Sequence, residues 1–134
     1  MNAFIVELKN QKCEVARIAE AIALKGIDIT GFAGATIGDK GAVVLITNDE
    51  ASTRKVLSEA NASVREVEIV PAALDARPGS MAEATRRLAD AGVNIEAAMP
   101  IGMAGEKVTV AFATSDPAKT RSVLGEAAVA GVRR

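Results

Sequence analysis

The chain has 134 residues, of which 49% are hydrophobic, with 16 basic and 17 acidic residues giving a net charge of -1; these values exclude a disordered or membrane-bound chain and allow one ordinary domain or two very small ones. Its charges are interspersed, so neither nucleic acid nor a membrane surface is an expected partner, and the short apolar run of "MNAFIVELKNQK" fits neither a leader nor a spanning helix. With no His, Trp or Tyr and a single cysteine, Cys13, the commonest general base and metal ligand are missing; no metal, cofactor or catalytic residue is expected, the compartment reads as cytoplasmic, and Cys13 reads as a half-buried thiol at a helix start.

In chain order, Phe4 to Leu8 alternates as a strand, and Val15, Ile18, Ala19 and Ile22 fall on one face of a helix. Ile27 to Ile37 and Ala42 to Thr47 form a hairpin around Gly38 to Gly41. A second amphipathic helix follows, with Thr53, Val56, Leu57 and Ala60 inward and Asp49 as its cap, and "VREVEI" from Val64 closes the unit as a strand. The order is βαββαβ.

The same order then repeats. "KGIDI" and "AGVNI" align through Gly26 and Gly92 at an offset of 66, which places Phe4, Val6 and Leu8 on Val70, Ala72 and Leu74. "TRKVLSEA" from Thr53 meets "TRSVLGEA" from Thr120 at an offset of 67, the extra residue falling in the turn that reads "GDKG" in one half and "GMAGE" in the other. The second half places Met81, Ala84, Thr85 and Leu88 on one helix face and Thr120, Val123, Leu124 and Ala127 on the other. Ser80 and Glu83 read as a capping box, and Asp116 before Pro117 as an N-cap. Only "GVRR" follows Ala130, so the last strand of the second copy is expected to be short or absent. Pro71 at the junction suits the first residue of a strand better than its middle.

The expected fold class is therefore α+β: two ferredoxin-like βαββαβ units, residues 1–68 and 69–134, each with both helices on one face of an antiparallel sheet. A unit this small is marginal alone, so the two are expected to pack as a tandem pair, and again across a homodimer. An RNA-binding version needs stacking aromatics, yet the chain has only Phe4, Phe32 and Phe112. A metal-chaperone version needs a second cysteine. No Gly-x-Ser-x-Gly elbow or P-loop is present, and "GFAGATIGDKG" lies inside a hairpin, where it matches no phosphate-binding pattern.

"LDARPGSMAEATRRLADAGVNIE", Leu74 to Glu96, leaves a specific question. Its aspartate, Asp75, reads as a lone base, a ligand clamp or a turn former. Gly79 and Ser80 lie where free N–H groups begin a helix and attract a carboxylate. Asp75 can accept from an ammonium, and Asn94 offers a donor and an acceptor. A zwitterion with its charges one carbon apart fits such a set.

The pattern "L-D-x-R-P-G-S-M…L-A-D-A-G-V-N-I", with Gly31 and Gly34 after "GIDI", resembles the ACT domain family, and the resemblance covers nearly the whole chain as two tandem copies. It implies a non-enzymatic regulatory protein that binds an amino acid at an interface between ACT units and modulates an enzyme or regulator of amino-acid metabolism. Carried over, the binding loop falls on Asp75, Ala76, Arg77, Pro78, Gly79 and Ser80, with Asn94 from the next strand. The first copy departs from the pattern: its loop reads "KNQKC", and Asp28 replaces the asparagine, so a second site would rest on Asn10 and Asp28. The alternative is a ligand-free dimerisation module, in which these residues are turn formers.

Overall fold

The structure, a computed structural model, describes residues 1–125. It divides into two compact units, Asn2–Val67 and the chain from Glu68 onward, with Met1 joining the latter.

The first unit contains β1 (Asn2–Lys9), α1 (Glu14–Ala23), β2 (Ile29–Ile37), β3 (Lys40–Thr47), α2 (Glu50–Glu59) and the start of β4 (Ser63–Asp75). Its strands are ordered β2-β3-β1-β4. The register sets Phe4 opposite Leu45 and Val6 opposite Val43, and these side chains form one core with Ile18 and Ile22 of α1 and Val56 and Leu57 of α2. Both helices thus cover the same face of the sheet. Val15, assigned to the inner face of α1 by its spacing, is 45% exposed: it is the second residue of the helix, and the residues that reach the core, Ile18 and Ile22, begin one turn later. The hairpin turns at Gly38 and Asp39, and a Cβ on Gly41 would lie 2.8 Å from Thr36 Cγ2 and 3.0 Å from the Ala35 carbonyl, so the strands meet there only as glycine allows.

The second unit repeats the scheme with the end of β4, α3 (Ser80–Asp90), β5 (Ile95–Ala104), β6 (Lys107–Thr114) and α4 (Pro117–Leu124), in strand order β4-β6-β5. Ala72, Leu74, Val110 and Phe112 face Ala84, Leu88 and Leu124. The closing strand expected after Ala130, and Ala127 on the last helix face, lie outside the described residues.

Two strands read separately from the sequence, one from Val64 and one around Val70 to Leu74, are a single strand, β4. Pro71 sits in its middle, contrary to expectation, and the register explains why it is tolerated. The Ile69 N–H bonds the Met1 carbonyl at 3.0 Å, so N–H groups at alternate positions, including that missing at Pro71, point away from β6. The β4–β6 ladder runs through Pro71 opposite Ala111 without losing a donor.

Helix starts differ from one another in instructive ways. Asp49 and Asp116 cap α2 and α4, accepting from Ser52 N and Lys119 N at 3.0 Å each. The capping box expected at α3 does not form: its N-cap is Gly79 at φ 91, Ser80 is already helical, and Glu83 pairs instead with Arg77. Cys13 occupies the matching N-cap of α1, exposed rather than half-buried, with φ 71. The first unit therefore places a side chain in the left-handed conformation that the second gives to glycine, at a cost of about 1–2 kcal/mol.

Each unit also buries a threonine relay. Thr53 donates to the Asp49 carbonyl at 2.7 Å and lies 2.7 Å from the Thr47 hydroxyl, which accepts from the Asp49 N–H at 3.3 Å. Thr120, Asp116 and Thr114 repeat it with 2.9, 2.7 and 3.2 Å separations. Thr53 and Thr120 are both 0% exposed, so every lost partner leaves a dry polar group. Replacing Thr53 or Thr120 by Val is expected to cost about 1–3 kcal/mol in chemical denaturation, and Thr47→Val with Thr53→Val is expected to be markedly less than additive.

Candidate functional site

The loop from Asp75 to Ser80 is anchored at one end of the second unit's sheet. Asp75 ends β4 opposite Lys107, the first residue of β6, and the next amide, Ala76 N, donates to Glu106 O at 2.7 Å. Pro78 and Gly79 then turn the chain into α3, Gly79 because only a glycine adopts φ 91 without strain. No side chain caps the helix. The Ser80 hydroxyl points backward, donating to the carbonyls of Asp75 at 2.5 Å or Arg77 at 3.1 Å, which ties the loop to itself and leaves the first-turn N–H groups without a side-chain acceptor.

A chain of charges runs across this loop. Lys107 Nζ donates to Asp75 Oδ1 at 2.5 Å, Arg77 lies 3.6 Å from the other Asp75 oxygen, and Arg77 also reaches Glu83 at 3.1 Å. The hydrogen bond from Lys107, then its charge and that of Arg77, hold the Asp75 carboxyl below its ordinary range. This is the reverse of the tuning a general base needs. All four side chains are about half exposed or more, and such pairs contribute little to folding. They hold a carboxylate and a guanidinium close together at the start of α3.

Beside the loop lies a cleft of about 350 Å³, bounded by Asp75, Arg77 and Ser80 at one side and by Met81, Ala98, Pro100, Val108 and Val110 at the other. Met81, read as core from its helical spacing, is 41% exposed here because the first turn of α3 stands at the cleft edge. Met99 also lines the cleft, whereas Met103 is 72% exposed and does not.

Asn94 is elsewhere. It precedes β5, its N–H bonding Ser115 Oγ at 3.0 Å and its carbonyl accepting from Ser115 N at 2.9 Å. The adjoining Ile95 pairs with Thr114, seven residues along β6 from the Lys107 that faces Asp75. At the rise of a strand this is about 23 Å, so Asp75 and Asn94 of one unit stand at opposite ends of their sheet. In the first unit, Asn10 binds the hairpin turn through Gly38 O at 2.9 Å, and Asp28 repeats the Asn94 bracket with Asn48 at 3.0 and 3.1 Å. A separate polar cleft of about 620 Å³ adjoins Asn10; Asp28 does not line it. Among the described residues no cluster of potential metal ligands occurs, and no described helix is long and apolar enough to cross a membrane.

Comparison with known proteins agrees with this architecture. Residues 6–132 match the ACT domain pair family. The chain belongs to that family, whose members are regulatory modules of two ACT domains. Among solved structures, protein BT0572 from Bacteroides thetaiotaomicron is 22% identical, with a TM-score of 0.77 over 93% of this chain and 86% of that one. The regulatory subunit of aspartate kinase from Thermus thermophilus, in ligand-free form, is 14% identical with a TM-score of 0.66 over 94% and 91%. That from Thermus flavus is 17% identical with a TM-score of 0.65 over 92% and 87%. These likenesses share the fold. No curated protein matches.

The charge chain makes a direct prediction. In Lys107→Met the Asp75 carboxyl loses its main stabilising donor, and its pKa rises toward the ordinary carboxylate value, measurable by carbon-detected NMR titration. Because a lowered folded-state pKa adds stability above the unfolded value that is lost as pH falls through the folded one, this variant's stability should depend less on pH across the acid limb.

Proposed function

We propose that this protein is a non-enzymatic, cytoplasmic sensor that binds an α-amino acid at the Asp75–Ser80 loop and transmits occupancy through its assembly to an enzyme or regulator of amino-acid metabolism. The observation that carries this reading is the loop itself: an uncapped helix start, with Asp75 and Arg77 held beside it by exposed pairs. The ligand carboxylate takes the first-turn N–H groups and Arg77, displacing Glu83. Its ammonium joins or replaces Lys107 at Asp75.

Ala76, Pro78 and Gly79 shape the loop, and Ser80 fastens it. The strand-start residue Asn94 enters only if a second ACT unit supplies it, since about 23 Å separates it from Asp75 in the same unit. An effector touching both therefore joins two units, and its binding free energy favours one arrangement of units over another. A homodimer is part of the proposal. The sheet face of the first unit opposite its helices carries Ile5, Val44 and Ala33 in register, an apolar surface suited to a second copy. Asn10 and Asp28 are structural in this reading: the Asn10 amide donates to the Gly38 carbonyl of the hairpin turn, and Asp28 takes part through its backbone, bracketed by Asn48.

Thermal unfolding against the common amino acids at millimolar concentration tests the proposal. A ligand at one hundred times its dissociation constant should add about 2.7 kcal/mol and raise the midpoint by several degrees. Asp75→Ala is expected to abolish the shift while leaving the unliganded midpoint nearly unchanged; no shift from any amino acid would leave a ligand-free dimerisation module as the better account.

A further inference from the structure

The two copies differ at one position in a way that bears on which amino acid the loop accepts. Ala98 of β5 pairs with Phe112, and Phe32 of β2 pairs with Leu45. Through the repeat these are the same register position, so where the first unit projects a benzyl group from the helix-covered face of its sheet, the second projects a methyl. The cleft beside the second unit's loop opens at this place, with Ala98 in its wall.

We propose that this cleft receives an aliphatic or thioether side chain of the amino acid bound at the loop, and so excludes ligands with charged side chains. The inference rests on the reading of the loop as the binding site for the ligand's backbone groups. Its chemistry follows from the lining. Among the described residues that line the cleft, Asp75 and Arg77 are the only ionisable ones, and both belong to the loop that engages the α-carboxylate and α-ammonium. Across from the loop, Met81, Ala98, Val108 and Val110 offer no partner to a charge, which would lose hydration there uncompensated.

Size agrees with chemistry. At about 350 Å³ the space lies at the small end of ligand sites, enough for a leucine, valine or methionine side chain. Met81, half exposed on the first turn of α3, is unbranched and adapts its shape to such a guest.

Calorimetric titration with L-leucine, L-valine, L-methionine, L-lysine and L-glutamate provides the test, on the full chain and on four variants. The wild type is expected to bind the three apolar amino acids at least tenfold more tightly than lysine or glutamate. Ala98→Phe, which copies the first unit's own residue, should weaken the apolar ligands by tenfold or more; Phe32→Ala should leave them unchanged. Met81→Gln, at an exposed position that does not endanger folding, should weaken them several-fold, so the inference stands on a second variant if Ala98→Phe misfolds. Equal affinity for lysine or glutamate would overturn the inference. So would apolar binding that survives Ala98→Phe and Met81→Gln but is lost in Asp75→Ala, an outcome that keeps the loop as the site. Absence of binding by all five, together with no thermal shift from any amino acid, would remove the loop reading and the cleft inference with it.

Discussion

The second unit's chemistry depends on how β4 ends. Asp75 pairs across the sheet with Lys107 while the next amide bonds Glu106, so the chain leaves the sheet at a fixed point and in a fixed direction. Pro78 and Gly79 then complete the turn, Gly79 supplying a φ of 91 that other residues adopt only under strain. Without that anchor, neither the uncapped first turn of α3 nor Arg77 would be held beside the cleft. The ion pairs are exposed and individually weak; the backbone bonds give the loop its position.

Each unit is too small to bury much surface, and both meet the difficulty with the same devices. Helices on one face cover a single apolar core in each, and a dry threonine relay joins the end of β3 or β6 to the helix that follows. The copies part company where function is concerned. At the helix start following the first strand, Cys13 accepts a strained conformation where the second copy has Gly79, and Phe32 fills a register position that Ala98 leaves open. Duplication followed by divergence of one loop and one strand position accounts for these differences between the two copies.

Much of the fold was legible in the sequence because it rests on periodicity and repetition. Gly26 and Gly92, which set the repeat, both take a positive φ after a helix, and the caps at Asp49 and Asp116 follow from short-range chemistry. Readings failed where tertiary placement overrode a local pattern. Ser80 and Glu83 have the spacing of a capping box, yet the left-handed Gly79 advances the helix start and Arg77 captures Glu83. Val15 and Met81 share a helical face with core residues, but each is the second residue of its helix and stays exposed, burial beginning later in the helix. The Pro-Gly turn and the helix that follows were legible in the sequence, and the residues of the candidate loop were carried over from the family resemblance. Lys107 was not: its partnership with Asp75 is set by strand register across 32 positions, which no local signal carries. Asn94 and Asp75 are close in sequence, and only the sheet shows that one unit holds them about 23 Å apart.

The central claim is that the start of α3 and its preceding loop form an amino-acid site. Backbone amide NMR during titration with the amino acid that gives the largest thermal shift tests it most directly. The account predicts the largest shifts at Gly79, Ser80, Met81 and Ala82, accompanied by Asp75 and Arg77, all saturating with one dissociation constant. Saturable shifts that leave those amides unmoved and appear instead around Asn10 in the first unit would contradict it.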